Sequence, residues 1–189
     1  AYVQDAVAHV EQQLSASVLA HSWRSYYWGY ALAQRHTLDF DQETFLLSCL
    51  FHDTGLGKQH PADCQCFTLH GALQAQQWAE QQLYPQHKTQ VILDSICLHM
   101  NGAETPQHAP EVRLLQWGTS CDVIGQQMHQ LSQPYQQQVW QHFTAQQFYQ
   151  EMQRAIDLEA SDYPKSRTAL LKTLGLPRLM QQFAKQQQA

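Results

Sequence analysis

Apolar residues recur every three or four positions along most of the chain, the spacing that places them on one face of an α-helix. No stretch alternates apolar and polar residues for long enough to indicate a β-sheet. The pattern predicts ten helices, at about residues 3–15, 17–35, 41–53, 67–83, 87–100, 110–127, 134–142, 144–160, 164–174 and 177–187. The sequence therefore predicts an all-α fold.

Residue types at the predicted helix ends suit these boundaries. Ser17 and Thr144 are predicted N-caps, because their hydroxyls can accept from free amides of a first turn. Pro134, Pro164 and Pro177 suit first turns, where a helix needs no amide proton. No repeat or linker divides the chain, so we predict one domain over residues 1–189.

Composition and charge narrow the function classes. With 189 residues and 43% hydrophobic content, the chain can bury one core. A net charge of −5 gives no basic surface for nucleic acid. The sequence has no apolar run of about 18 residues, and its five cysteines have neither zinc-ribbon nor C-x-x-C spacing. We expect no leader peptide. We expect a soluble cytoplasmic protein with no nucleic-acid or membrane partner; a homo-oligomer stays open.

Four predicted helices carry a polar residue on an apolar face. These residues are His21, His52, His99 and Asp122 on the second, third, fifth and sixth helices. A buried carboxylate without a partner is costly. Several such residues on separate helices of one small bundle indicate a shared cation, because a metal neutralises carboxylates and uses imidazole lone pairs.

Asp53 directly follows His52 at a helix end that opens into "TGLG". Together with His21 and Asp122, this pair offers two nitrogens and two carboxylates. That mixture suits a first-row transition metal better than calcium or magnesium, which prefer all-oxygen shells. Each residue alone has an ordinary explanation, such as a core histidine or a helix cap, but the ordered combination is more specific.

The spacing resembles that of the HD-domain superfamily of metal-dependent hydrolases. The segments "ASVLAHSWRSYYWGYALA", "DQETFLLSCLFHDTGLG", "CFTLHGA", "ILDSICLHMN" and "LLQWGTSCDVIG" resemble its HD-type cyanamide hydratase branch in particular. The resemblance covers residues 14–125. It implies a compact helical HD core there, followed by a C-terminal helical extension at about 130–189.

The resemblance also implies roles for individual residues. It makes His21, His52, Asp53 and Asp122 the metal ligands, and gives Asp53 the second task of orienting the reactive water. His99 is implied to lie near the open coordination position, where an imidazole can move a proton or polarise an electrophile. We expect one divalent transition metal, with zinc first and iron or manganese as alternatives.

The substrate is expected to be a small molecule. Four residues are predicted to contact it: Arg24, Trp28, Phe67 and His70. Arg24 has a second interpretation as a salt bridge to Asp53 or Asp122, and His70 as a packing residue or a ligand of a second metal. The loop at 54–66 is predicted to cover the entrance.

One departure from the branch concerns the substrate. Where the branch commonly has phenylalanine and then glutamate before a Gly-Ala or Gly-Gly pair, this chain has Phe67 and then Thr68. We therefore expect a metal-activated water to attack a small substrate, cyanamide or a related nitrile or amide. The alternatives are an HD phosphohydrolase acting on a nucleotide or another phosphate ester, and a non-catalytic helical metal-binding module.

Overall fold

The computed structural model describes residues 1–58, 66–101 and 107–187. This part of the chain contains ten α-helices, one 3₁₀ turn at Met128–Gln130 and no β-strand. The helices are α1 (Tyr2–Glu11), α2 (Ala16–Arg35), α3 (Gln42–Phe51), α4 (Phe67–Gln81), α5 (Gln86–Leu98), α6 (Pro110–Ile124), α7 (Gln133–His142), α8 (Phe148–Asp162), α9 (Arg167–Thr173) and α10 (Leu176–Gln187). The all-α prediction is confirmed, and each predicted helix is present.

Both predicted serine and threonine caps are wrong. The N-cap of α2 is Ser15, whose side chain accepts from the Val18 amide. Ser17 lies in the first turn instead and donates to Glu151 on α8. Helix α8 begins only after Gln147, so Thr144 lies in the preceding turn. Serines at 15 and 17 both fit a cap pattern, and the local sequence does not choose between them.

Two of the three prolines lie where they were predicted. Pro134 and Pro177 occupy the first turns of α7 and α10. Pro164 lies before α9, so its predicted first-turn position is wrong. The N-cap of α9 is Ser166, and the Ser166 hydroxyl accepts from the Ala169 amide at 3.2 Å. This hydrogen bond satisfies a free amide of the first turn, which a proline side chain cannot do.

Helices α2 and α6 cross closely because glycines face backbone at the contact. A Cβ on Gly118 of α6 would lie 2.1 Å from the carbonyl oxygen of Ser25 on α2. A Cβ on Gly29 of α2 would lie 2.8 Å from the carbonyl oxygen of Leu114 on α6. Only residues without a side chain allow this approach. The close crossing brings the neighbouring turns of α2 and α6, and their polar residues, into contact.

Apolar residues from α1, α3, α4 and α5 form a core on one side of this helix pair. Its buried members include Val10, Leu47, Phe51, Trp78 and Ile96. None of the helices in the described ranges is long and apolar enough to cross a lipid bilayer.

The C-terminal helices pack onto the other side of the helix pair. Phe148, Met152 and Ile156 of α8 are buried together with Met180 of α10. Half-buried Ile124 at the end of α6 packs against this cluster. The apolar face of the extension is therefore covered by the core helices.

A buried carboxylate joins the extension to the start of α4. Glu159 of α8 accepts a hydrogen bond of 3.0 Å from the amide of Phe67, the first residue of α4. A negative charge is favourable at a helix N-terminus, where amide dipoles point outward. Helix α8 thereby fixes the position of Phe67.

Candidate metal centre

Three potential metal-ligand atoms converge in the interior between α2 and the end of α3. His21 Nε2 lies 3.2 Å from His52 Nε2. Asp53 Oδ2 lies 3.2 Å from His52 Nε2 and 3.6 Å from His21 Nε2. A tetrahedral ion with bonds of about 2.0–2.1 Å holds its ligand atoms about 3.4 Å apart. The spacing of the three atoms therefore fits a single transition metal.

The Asp53 carboxylate also has a buried oxygen that a metal could neutralise. Its Oδ2 is buried and has no hydrogen-bond partner. Burial, the largest single influence, would raise the pKa of this carboxyl, but the neighbouring histidines, His52 first among them, together outweigh burial and hold the pKa well below its usual range. An ionised, buried and unpaired oxygen is costly unless a cation neutralises it. The donor set thus fits a divalent metal.

Two histidines are oriented by backbone carbonyls. His52 Nδ1 lies 2.7 Å from the carbonyl oxygen of Cys49, and His99 Nδ1 lies 2.7 Å from that of Ile96. A carbonyl oxygen only accepts, so Nδ1 must carry the proton in both rings. In the neutral form of each ring, Nε2 therefore has a free lone pair, and this is the form that binds a metal or accepts a proton.

The turn that carries His52 and Asp53 is held tightly against α4. A Cβ on Gly55 would lie 2.3 Å from the carbonyl oxygen of Phe67, so only glycine fits. On α4, a Cβ at Gly71 would lie 3.3 Å from the carbonyl oxygen of His52. The two glycines of the "TGLG" and "HGA" segments let the metal-binding turn and α4 approach each other.

Asp122 lies behind His21 and accepts four hydrogen bonds. Its Oδ1 accepts from Arg24 Nε and Trp28 Nε1, both at 2.8 Å. Its Oδ2 accepts from Arg24 Nη2 at 2.8 Å and from His21 Nδ1 at 2.6 Å. A carboxylate has about four acceptor positions, so all of them are used. Burial, the largest single influence, raises the pKa of Asp122, but Arg24 and His21 together outweigh burial and lower the pKa to about 2.

This arrangement differs from the predicted role of Asp122 as a direct ligand. The carboxylate contacts Nδ1 of His21, on the side of the ring away from the ligand atom Nε2. A carboxylate in this position fixes the tautomer and the orientation of the ligating imidazole. The structure brings together candidate ligand atoms of His21, His52 and Asp53, with Asp122 on the other side of the His21 ring. The role of Asp122 as a fourth direct ligand stays a prediction.

Arg24 and Trp28 donate hydrogen bonds to Asp122 and do not line the cavity at the candidate metal centre. Arg24 has no exposed surface, and its Nη1 donates to the carbonyl oxygens of Phe143 at 3.2 Å and Thr144 at 3.1 Å. The prediction that these two residues contact substrate is not matched by the structure. For Arg24 the second interpretation, a salt bridge to Asp122, is correct.

A cavity of about 280 Å³ opens beside the three ligand atoms. Phe67 and His99 are part of its wall, as expected from the sequence. His70 is not: it bonds to Gln74 Nε2 at 2.9 Å on its own helix. Most of the predicted loop at 54–66 lies outside the described residues, namely 59–65.

Burial, and then the adjacent His52, lower the pKa of His99 to about 3, so the charged form of this imidazole is disfavoured. With Nδ1 donating to Ile96, the neutral ring presents an accepting Nε2. The side chain can therefore accept a hydrogen bond or act as a further ligand.

Several residues of the cavity wall were not found from the sequence. They come from the C-terminal helices: Met152, Ile156, Leu171 and Leu176. The apolar stripe Phe148, Met152, Ile156 does repeat every four residues. That spacing predicts a buried face and gives no sign that the face borders a cavity.

Comparison with known families now adds a second line of support. The family model described as HD domain matches residues 18–136, more than half of the chain. The chain belongs to the HD domain family. The matched segment of this HD protein contains His21, His52, Asp53, His99 and Asp122. A search of the curated proteins found no match.

Family membership supports the general functional prediction and leaves the substrate and the reaction open. The HD domain makes the chain a member of a superfamily of metal-dependent hydrolases that bind divalent metals. The predicted resemblance to the superfamily is therefore confirmed. The narrower resemblance to the cyanamide hydratase branch gains no support from the comparisons.

His52→Ala is expected to lower metal occupancy by at least about tenfold, because it removes one of three ligands of the HD site. Elemental analysis of protein purified without added metal measures this directly. His142→Ala, an exposed histidine on α7, serves as the control and should keep wild-type occupancy. Full occupancy in His52→Ala would rule out this ligand set.

Arg24→Ala is expected to reduce the free energy of unfolding by about 3–5 kcal/mol, because it leaves Asp122 buried without its cation. Arg35→Ala, at the exposed end of the same helix, should change it by less than about 0.5 kcal/mol. Urea unfolding compares the two variants. Equal stability of both would mean that the Arg24–Asp122 pair does not hold the HD site.

Proposed function

We propose that this HD protein is a metal-dependent hydratase or hydrolase that acts at an electrophilic carbon of a small uncharged substrate, such as a nitrile or an amide. The observation that carries this proposal is the chemistry of the cavity wall. No lysine or arginine is among the described residues that line it. Histidine, amide, hydroxyl and apolar side chains surround the ligand group, with Asp53 as the acid.

The location of every cationic side chain strengthens this point. All 11 lysines and arginines lie in the described ranges, because the segments 59–65 and 102–106 contain none. Arg24 is committed to Asp122, and Lys58 donates to Gln13 at 3.4 Å. Phosphoryl transfer relies on clustered cations around the transferred group. The cavity offers no such cluster, which disfavours the phosphohydrolase alternative.

The ligand set suits catalysis better than a structural metal. His21, His52 and Asp53 would hold a divalent metal through three side chains, and catalytic zinc sites typically have three protein ligands and one open position. When bound, such a metal supplies a water whose pKa is lowered to about 7. The three ligands border a cavity, so a substrate has access to that position.

The remaining polar side chains of the wall can orient the water and the substrate of a hydration reaction. In the addition of water to a nitrile, oxygen bonds to carbon, the nitrogen gains protons, and an amide forms without a leaving group. His99, with Nδ1 donating to Ile96, presents an accepting Nε2 that can hydrogen-bond to the water and orient it. The amide side chains of Asn101 and Gln116 lie on the same wall, where they can orient an uncharged polar group.

The test is a substrate screen with protein loaded with zinc, iron or manganese. Cyanamide, alkyl nitriles and simple amides form one arm, and nucleoside mono- and triphosphates form the other. We expect urea, amide or ammonia release in the first arm only, and its loss in His52→Ala, because that variant lacks a metal ligand. Phosphate release from nucleotides without turnover of any carbon substrate would overturn the proposal.

A further inference from the structure

The residues that line the cavity include two chemically different groups. One group is His21, His52 and Asp53, which carry the candidate ligand atoms. The other group is apolar, and we call it the apolar chamber: Leu56, Ile124, Met152, Ile156, Leu171 and Leu176. All of these except Leu171 belong to, or pack against, the apolar cluster that joins α8 and α10.

Most of the apolar chamber comes from a different stretch of the chain than the ligand residues. The ligand residues lie within residues 18–136, the segment matched by the HD family, as do Leu56 and Ile124 of the chamber. Met152, Ile156, Leu171 and Leu176 lie after it, in the C-terminal helical region. The C-terminal helices therefore complete a chamber that the HD core begins. A wall outside the matched segment is suited to set specificity, while the core supplies the metal centre.

The size of the cavity exceeds what the smallest substrates need. Its volume of about 280 Å³ corresponds to roughly nine water molecules at about 30 Å³ each. Cyanamide has three non-hydrogen atoms and would leave most of the apolar chamber facing water. Apolar surface gains free energy when another apolar group covers it. A larger apolar occupant therefore fits the chamber better.

Charge further restricts the occupant. Neither Leu171 nor Leu176 has a lysine or arginine beside it on the cavity wall, since no cationic residue lines any described part of it. A fatty-acid carboxylate or a phosphorylated tail would have no counter-ion there, and desolvating an unpaired charge is costly. The body of the substrate must be neutral.

We infer that the substrate is an uncharged nitrile or amide with an apolar body of about six to ten carbon atoms, which lies in the apolar chamber while its polar head reaches the metal centre. The reaction at the head rests on the proposed function. The fit of the body rests on the chamber alone, so the two can be tested separately.

Straight-chain alkyl hydroxamates are suitable probes, because the hydroxamate binds a metal and the chain reports on the chamber without turnover. Calorimetric titration of zinc-loaded protein with the two-, four-, six- and eight-carbon members gives their dissociation constants. We expect the affinity to rise about fourfold for each added methylene until the chamber is filled. An affinity that does not change with chain length would overturn the inference.

Leu171→Trp should fill part of the chamber and flatten this rise. Leu171 is half-buried on α9, so the substitution disturbs the core less than one at Ile156. Leu170→Trp is the matched control, because Leu170 is the preceding residue, 58% exposed and absent from the cavity wall. Acetohydroxamate affinity and zinc content should stay unchanged in both variants. Identical chain-length profiles for the two variants would contradict the chamber.

A second variant covers the case in which Leu171→Trp does not fold. Leu176→Gln makes the chamber polar without filling it and should reduce the gain per methylene. A gain equal to that of wild type would count against the inference. A rise with chain length, without turnover of any nitrile or amide, would reject the proposed reaction and keep the chamber; turnover without the rise would do the reverse.

Discussion

The buried carboxylate of Asp122 connects most of the parts on which this HD protein depends. It accepts from Arg24, Trp28 and His21, and so joins α6 to α2 at their closest crossing. Arg24 extends the network to the turn before α8 through Phe143 and Thr144. A buried ion pair is tolerated when its hydrogen-bonding capacity is fully used, as it is here. The same network fixes His21 with Nε2 directed to the other two ligand atoms.

The metal centre and the cavity beside it come from different layers of the fold. The HD core supplies the ligand atoms, and the C-terminal helices supply much of the apolar wall. Glu159 joins these layers, because it accepts a hydrogen bond from the amide of the cavity residue Phe67, the first residue of α4. Reactivity and substrate fit can therefore vary separately in this architecture. A change in α9 or α10 alters the shape of the chamber without touching a ligand.

Local patterns were sufficient to predict the helices, and together with the family resemblance they included His21, His52 and Asp53 among four predicted metal ligands. Helix periodicity depends on residues three or four apart, and the inward positions of His21 and His52 follow from the same spacing. The turn that carries His52 and Asp53 can also be recognised locally, because Gly55 follows it directly. Gly55 and Gly71 of α4 permit the approach of the turn and α4.

The contacts that support the site could be predicted only in part, because they join distant segments. The sequence left Arg24 open between a substrate contact and a salt bridge to Asp53 or Asp122, and it does not show that the pair with Asp122, 98 residues away, lies on the far side of His21. Nor does it show that Leu171 and Leu176 border a cavity and do not simply extend the core. Such features follow from tertiary packing, which places side chains with the same periodicity in different environments.

The most direct test of this account is the position of the metal in a crystal structure of the zinc-loaded protein, located by anomalous scattering at the zinc edge. We expect one ion bonded at about 2.0–2.2 Å to His21 Nε2, His52 Nε2 and an Asp53 oxygen, with Asp122 still bonded to Arg24 and outside the coordination shell. An ion bonded directly to Asp122, or one located away from these residues, would contradict the account.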